Sequence, residues 1–497
     1  MRSKTSPRTP MTPGRAGVVV AALLLVGCGR IGFDEGRGED GGTVDATLDA
    51  GDADARADAV ADAAGDAATD ADAGGPDVWP RVSVGDGRIQ VQDLVVDGSG
   101  AIYLTGYFDG TANFGDGDRA SVGERDAFVV SYEQTGAHRF TRTWGSATRD
   151  EGEAVLLDSA GDLWVTGFFT GMVDFGGGTK TSAGGRDVFL MRMSRTGEYQ
   201  ASFAYGGAGD DGGGKLARIG LVDVVLVGSF GDTIDFGSGM LSTGATAACF
   251  VALIEPSGSD LWSRAWGDVR FNACRGVAVA SDGSIYTTGF YEGMLDFGGG
   301  AEPYRGIQDA FVLALTEDGV YRWSRTFGAS GFDYGNDVAV DDAGNLYVSG
   351  YFEGTADIDP GGGTLTGQGS RDIFIVSYDR DGVVRWQKSF GGAGCDEGRG
   401  VITTGSTFYF TGAFEGPVDF GGGSLVTEGA DAFVVALDTA SGTHRWSVPV
   451  GTPGADIGRA VGVLRDGRVV VAAAVDGDDT GCGTATRANL YVGPVGP

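Results

Sequence analysis

A pattern beginning with glycine recurs through this chain at a nearly constant interval. It reads "GYFDGTANFG" from Gly106, "GFFTGMVDFG" from Gly167, "GSFGDTIDFG" from Gly228, "GFYEGMLDFG" from Gly289, "GYFEGTADID" from Gly350 and "GAFEGPVDFG" from Gly412, with successive spacings of 61, 61, 61, 61 and 62 residues. A further 62 residues lands on Ala474 in "AVDGDDTGCG". A fixed period of this size implies stacked supersecondary units, each unable to bury its own apolar face alone. The glycine runs are therefore expected to be turn residues of the fold, because a phosphate-cradling loop does not recur once per unit.

Within a unit the apolar residues alternate over short runs bounded by turn signals, as in "NDVAVDD", "LYVSGYF", "DIFIVSYD" and "VVRWQKSFG" of the fifth unit. Four short strands per unit, with no helical period to compete, predict an all-β chain. Seven such units fit a seven-bladed β-propeller of four-stranded antiparallel blades. The last unit supplies only three strands, while "VWPRVSVG" (residues 78–85) resembles the fourth strand "HRWSVPVG" (residues 444–451). The expectation is a ring closed by an N-terminal strand completing the last blade, which removes exposed sheet edges.

Ahead of the repeats lie two segments of different character. Residues 1–27 carry Arg2, Lys4, Arg8 and Arg15 before the apolar run "AGVVVAALLLVGC", the pattern of an export signal too short to span a bilayer. Leu25, Val26, Gly27 and Cys28 resemble the bacterial lipobox, which implies cleavage before Cys28 and lipid attachment to its sulfur. With Gly29 after the cysteine, that resemblance implies a lipid-anchored protein of the bacterial cell envelope, at the outer membrane or cell surface. Residues 28–77 are rich in Ala, Asp and Gly, and residues 34–77 hold fourteen acids against two arginines. Like charges without an apolar stripe predict a disordered acidic tether. The repeats then occupy residues 78–497.

The repeat residues "GYFEGTADI", "RDIFIVSYDRDGVVRW" and "GNLYVSGYF" resemble the SBBP family of bacterial β-propeller repeats. That resemblance implies the fold and an extracytoplasmic setting, and names no common substrate. The third unit departs most, with "AACF" where the first has "RDAF". "ALDTASGTHRW" (residues 436–446) resembles the tryptophan-docking motif of quinoprotein propellers, in which the tryptophan packs between blades. Trp262, Trp323, Trp386 and Trp446 hold equivalent places. No haem-attachment motif accompanies it.

The net charge of −32 excludes nucleic acid as a partner. Asp174, Asp235, Asp296, Asp357 and Asp419, with Asn113, recur before the glycine turn; Asp150, Asp211, Asn272, Asp333, Asp396 and Asp456 recur ahead of each unit's first strand. Such residues accept hydrogen bonds from nearby backbone and are natural turn formers. No cofactor is required. Calcium is the one ion the acidic pattern would admit, with Asp357 and Asp359 as its best candidate ligands, yet two carboxylates fall short of the oxygens it needs. The two histidines, His138 and His444, occupy the same repeat slot, which argues against a unique catalytic base.

Cys249, Cys274, Cys395 and Cys482 remain as disulfide candidates in an oxidising compartment. With strands running from the channel outward, the loop leading into each blade shares a face with the long connection between second and third strands. Four cysteines allow three pairings, and that topology places all four near one face, with each of the pairs Cys249–Cys274 and Cys395–Cys482 in adjacent blades. The functional expectation is a binding or scaffolding module with a protein or glycan partner at the cell surface. The alternative is an extracytoplasmic enzyme acting on a polysaccharide or small molecule through acidic residues at the channel.

Overall fold

A computed structural model describes residues 83–84 and 88–477, apart from 245, 269, 360–362, 428 and 452–453. The signal segment 1–27, the tether 28–77, Cys28 and Cys482 lie outside the described residues. Those residues form six four-stranded antiparallel sheets in chain order. Blade one is Arg88–Val96, Ile102–Asp109, Asp126–Tyr132 and His138–Trp144; blade six is Glu397–Thr404, Thr407–Glu415, Ala430–Asp438 and His444–Val450. The count corrects the expectation of seven four-stranded blades. Beyond blade six the described chain adds only the two-stranded sheet Ala455–Val463 and Val469–Gly477. The N-terminal strand also differs, since its described part, Ser83–Val84, pairs with Thr111–Asn113 of blade one. Residues that could complete a seventh sheet, 78–82 and 478–497, are not among those described.

The first strand of every sheet contacts the first strand of the next, and Arg88–Val96 contacts Ala455–Val463, so the inner strands form a closed ring. Burial explains the strand chemistry. Third strands such as Asp126–Tyr132, Ala248–Ile254 and Asp309–Leu315 are buried along their whole length and read as near-continuous apolar runs, because neighbouring blades cover both faces. Outer strands such as Val384–Phe390 are only partly covered and read as mixed sequence. Between blades lie apolar layers. Leu94 and Leu104 of blade one join Ile457 and Val470 of the two-stranded sheet, and Leu464 of the turn between its strands, in one cluster.

The inner strands share an irregularity at one level. The pairing shifts between Val91 and Asp93, Gly152 and Ala154, Gly213 and Lys215, Cys274 and Gly276, Gly335 and Asp337, Gly398 and Val401, and Gly458 and Ala460. Each is a β-bulge, which inserts an extra residue and bends the strand. The glycine that opens each repeat faces this bulge. A Cβ on Gly106, Gly167, Gly289, Gly350 or Gly412 would collide with the inner-strand carbonyl of Gln90, Glu151, Ala273, Tyr334 or Glu397.

Trp262, Trp323 and Trp386 dock as the resemblance implied. Trp323 Nε1 donates to Arg380 O at 3.0 Å and Trp386 Nε1 to Thr439 O at 3.1 Å, each reaching the next blade. Gly382 and Gly442 lie against those rings, where a Cβ would clash.

Candidate functional site: the hairpin face and the central channel

The long connection between second and third strands folds back as a small hairpin in most blades, and its aspartate is a turn residue. Asp174 Oδ1 accepts the N–H groups of Gly176 and Gly178 at 2.8 and 3.0 Å, and Asp296 Oδ1 those of Gly298 and Gly300 at 2.7 and 2.9 Å. Asn113 and Asp419 do the same. The glycines beside them are covered by the first residue of the outer strand. Tyr199 lies over Gly176 and Gly177, Tyr321 over Gly298 and Gly299, and His444 over Gly421 and Gly422. The two histidines are thus ring-shaped covers. His138 Nε2 lies 2.8 Å from Thr141 Oγ1, and His444 Nε2 lies 3.0 Å from Ser447 Oγ. Asp357 lies in the hairpin strand Thr355–Asp359, opposite Thr364. Among the described residues no group of three or more His, Cys, Asp or Glu side chains is placed to hold a metal.

The aspartates ahead of each inner strand staple one blade to the next. Asp333 Oδ2 accepts Ala329 N at 2.8 Å while Oδ1 accepts Glu353 N at 3.1 Å; Asp211 does the same with Gly207 N and Gly231 N, and Asp396 with Gly392 N and Glu415 N. A second aspartate, at the start of the preceding third strand, faces the first across the closing glycine. Asp187 and Asp211 flank Gly206, Asp309 and Asp333 flank Gly328, and Asp372 and Asp396 flank Gly391. Burial, followed by weaker repulsion from the facing carboxylate, raises Asp211 and Asp333 to about 7 and Asp396 to about 6. At the junction of blades three and four the pair is replaced by Ala248 and Asn272, and there Cys249 is joined to Cys274 by a disulfide with Cα atoms 5.0 Å apart. Cys395 is also disulfide-bonded; Cys482, its expected partner, lies outside the described residues.

At the inner ring, repetition weakens. The residues inserted at the bulges include Gln92, Glu153, Gly214, Arg275, Asn336, Arg399 and Arg459, a column in which only arginine occurs more than once. Beside them, Lys215 Nζ of blade three meets Asp93 Oδ1 of blade one at 2.6 Å. Burial disfavours the Lys215 charge, but Asp93, Asp337 and Glu153 together hold its pKa above the ordinary value. Glu397 meets Arg371 at 3.0 Å and Arg399 at 2.6 Å, Arg125 is paired with Glu151 at 2.5 Å, and Arg275 donates to Asn336 Oδ1 at 2.9 Å. Asp337 accepts the N–H groups of Val401 and Val338. Glu153 is the exception. It is 8% exposed, its Oε1 has no partner, and burial with the nearby Glu151 raises it to about 8.

None of these channel residues stands among the sequence-predicted ones, because each recurs in two or three blades at most and a search for positions kept in every unit passes over them. The signal that would find them is a variable column between well-kept neighbours when the units are stacked.

A family model described as "Beta-propeller repeat", SBBP, matches residues 322–351. No curated protein matches the chain. Among solved structures, the quinohemoprotein alcohol dehydrogenase from Comamonas testosteroni is similar at 11% identity over 80% of this chain and 72% of that one, with a TM-score of 0.37. BamB from Moraxella catarrhalis is similar at 11% identity over 79% and 96%, with a TM-score of 0.33. An acylaminoacyl peptidase from Pyrococcus horikoshii is similar at 10% identity and a TM-score of 0.39, over 81% of this chain and half of the peptidase. These likenesses lend the chain no activity. The repeat match and the ring of antiparallel sheets agree: the chain is a β-propeller repeat protein carrying an SBBP-type repeat.

Proposed function

We propose that this protein is a lipid-anchored binding module of the bacterial cell envelope, held through Cys28 and an acidic tether and recognising a protein or glycan with the hairpin face of its propeller. One observation carries this reading. Among the described residues eleven large hydrophobic side chains are exposed, and six of them, Val122, Met172, Met240, Met294, Ile307 and Val426, lie in the connections between second and third strands. Those connections share one face. Loops carried on a rigid frame are the usual seat of recognition, and these present an apolar side chain from each of five blades.

The catalytic alternative would draw on the five acids of the channel, of which Glu153 alone has no acidic counterpart in another blade. Asp93 and Asp337 share one repeat slot and Glu151 and Glu397 another, and all four are engaged with a cation or with backbone N–H groups. Glu153 alone is uncommitted, and one carboxyl does not make the acid and base pair that glycoside hydrolysis uses.

The test is capture of envelope proteins and a glycan array, with the full chain and with a Met172→Glu, Met240→Glu, Met294→Glu variant. Partners retained by the parent and lost by the variant support the reading. Equal capture by both, or none by either, defeats it. Mass spectrometry of the mature N-terminus tests the anchor separately, and an unmodified Cys28 would remove it.

A further inference from the structure

Four consecutive inner strands bring together side chains whose hydrogen-bonding atoms are buried and unmatched. Arg399 and Arg459 occupy the same bulge position on neighbouring strands. Those strands abut closely, since a Cβ on Gly400 would lie 2.6 Å from Arg459 O and 2.7 Å from Ala460 Cα. Both guanidinium groups have a buried Nε without a hydrogen-bond partner. Arg399 has Glu397 at 2.6 Å, whereas Arg459 forms no ion pair among the described residues. Burial, with the Arg399 charge beside it, lowers Arg459 to about 10, still charged at neutral pH.

The next two strands add donors. Gln90 is 3% exposed, its Oε1 takes the hydroxyl of Tyr107, and its Nε2 is buried without a partner. Burial raises the Tyr107 hydroxyl, and Glu151, Arg125, Arg459 and Glu153 are all within electrostatic reach of it. Glu153 Oε1 is likewise unmatched. Burial, followed by repulsion from Glu151, raises its pKa to about 8, and the protonated form has an O–H to offer. Leaving a buried donor unmatched is costly, and more so when it is charged. A single acceptor-rich group would satisfy several at once, and planar guanidinium forks suit carboxylate and phosphate geometry.

We propose that the channel binds a small oxyanion, a carboxylate or a phosphate, between Arg399 and Arg459, with Gln90 and Glu153 completing its hydrogen bonds. The site is independent of the hairpin face and stands or falls without it.

Titration calorimetry of the full chain with inorganic phosphate and with acetate, at constant ionic strength in chloride, reads the site directly. Saturable 1:1 binding of either anion is expected, and whichever binds tighter assigns the class. Arg459→Gln and Arg399→Gln should each weaken it at least tenfold, while Arg149→Gln, which changes an exposed surface arginine, should not. Should the channel variants fail to fold, the parent protein still decides: bound anion should protect Arg399 and Arg459 from phenylglyoxal, read by peptide mass spectrometry. No saturable binding of either anion, undiminished binding in both folded variants, or no protection overturns the proposal.

Discussion

Lys215 Nζ lies 2.6 Å from Asp93 Oδ1, although the two residues are 122 positions apart and belong to blades one and three, which are not neighbours. The pair ties together inner strands that no shared sheet connects. Asp93 Oδ2 also accepts Val155 N of blade two at 3.1 Å, so one carboxylate holds three blades.

Lys215→Met should therefore cost more than a surface ion pair would. Removing one partner leaves a buried carboxylate uncompensated, a change worth about 3–5 kcal/mol. Urea unfolding should show the full loss in Lys215→Met and a partial recovery in the double variant with Asp93→Asn, which keeps an acceptor for Val155 N. Equal midpoints for the single variant and the parent would contradict the assigned role.

The facing carboxylates predict that acidic conditions favour the fold. Asp211 and Asp333, at about 7, and Asp396, at about 6, bind protons more tightly folded than in the unfolded chain, where a carboxyl titrates near 3.9. Their stabilisation is fully present below the unfolded value and is lost as pH rises through the folded one. Asp97 and Asp341 act in the opposite sense, but only below the ordinary carboxylate range: burial pushes each up, and the hydrogen bonds each accepts together outweigh it and hold it low. The melting temperature should fall steadily between about pH 5 and 8. Asp333→Asn should reduce that slope, since Asn272 already fills the equivalent place in blade four, with its amide donating to Ala247 O and its Oδ1 accepting Glu292 N. A flat profile by scanning calorimetry would refute the pairing.

Much of the fold is legible in the residues because repetition multiplies a weak signal. A single "DFGGG" is ambiguous; its recurrence in phase with Tyr199, Tyr321 and His444 one hairpin away describes a turn with a lid. The same property conceals the channel. Glu153, Arg399 and Arg459 stand at a position whose neighbours recur while its own residue is Gln, Glu, Gly, Asn or, three times, Arg, so a search for a kept residue passes over it. The number of complete sheets was beyond reach for a different reason. "RVVVAAAV" marks one strand of the last unit clearly, but strand pairing at a ring seam depends on segments far apart in the chain, and no local pattern states which edge Ser83–Val84 will choose.

The lidded turn makes a test of its own. A Cβ on Gly299 would overlap the Tyr321 ring, whose hydroxyl lies 3.0 Å from Ser324 Oγ. Gly299→Ala should displace the ring and cost about 1–3 kcal/mol, the usual range for overpacking. In a Tyr321→Ala background the same change should cost little. A double-mutant cycle with no coupling would show that the glycine is there for backbone reasons alone.

The disulfide supplies the last prediction. Cys249 and Cys274 lie 25 residues apart and close a loop that runs from the third strand of blade three into the inner strand of blade four. That junction lacks the facing carboxylates found at Gly206, Gly328 and Gly391, because Ala248 and Asn272 stand in their place. A covalent link there constrains the unfolded chain by about 2–4 kcal/mol. Cys249→Ala with Cys274→Ala should lower the unfolding midpoint accordingly, at pH 5 and pH 8 alike, since no raised aspartate titrates at this seam. Cys395, bonded elsewhere, is untouched by the change, so the loss reports on this one seam. Should the double variant match the parent in stability, blades three and four would have to be joined by packing, with Val251, Leu253 and Val277 as the residues to truncate next.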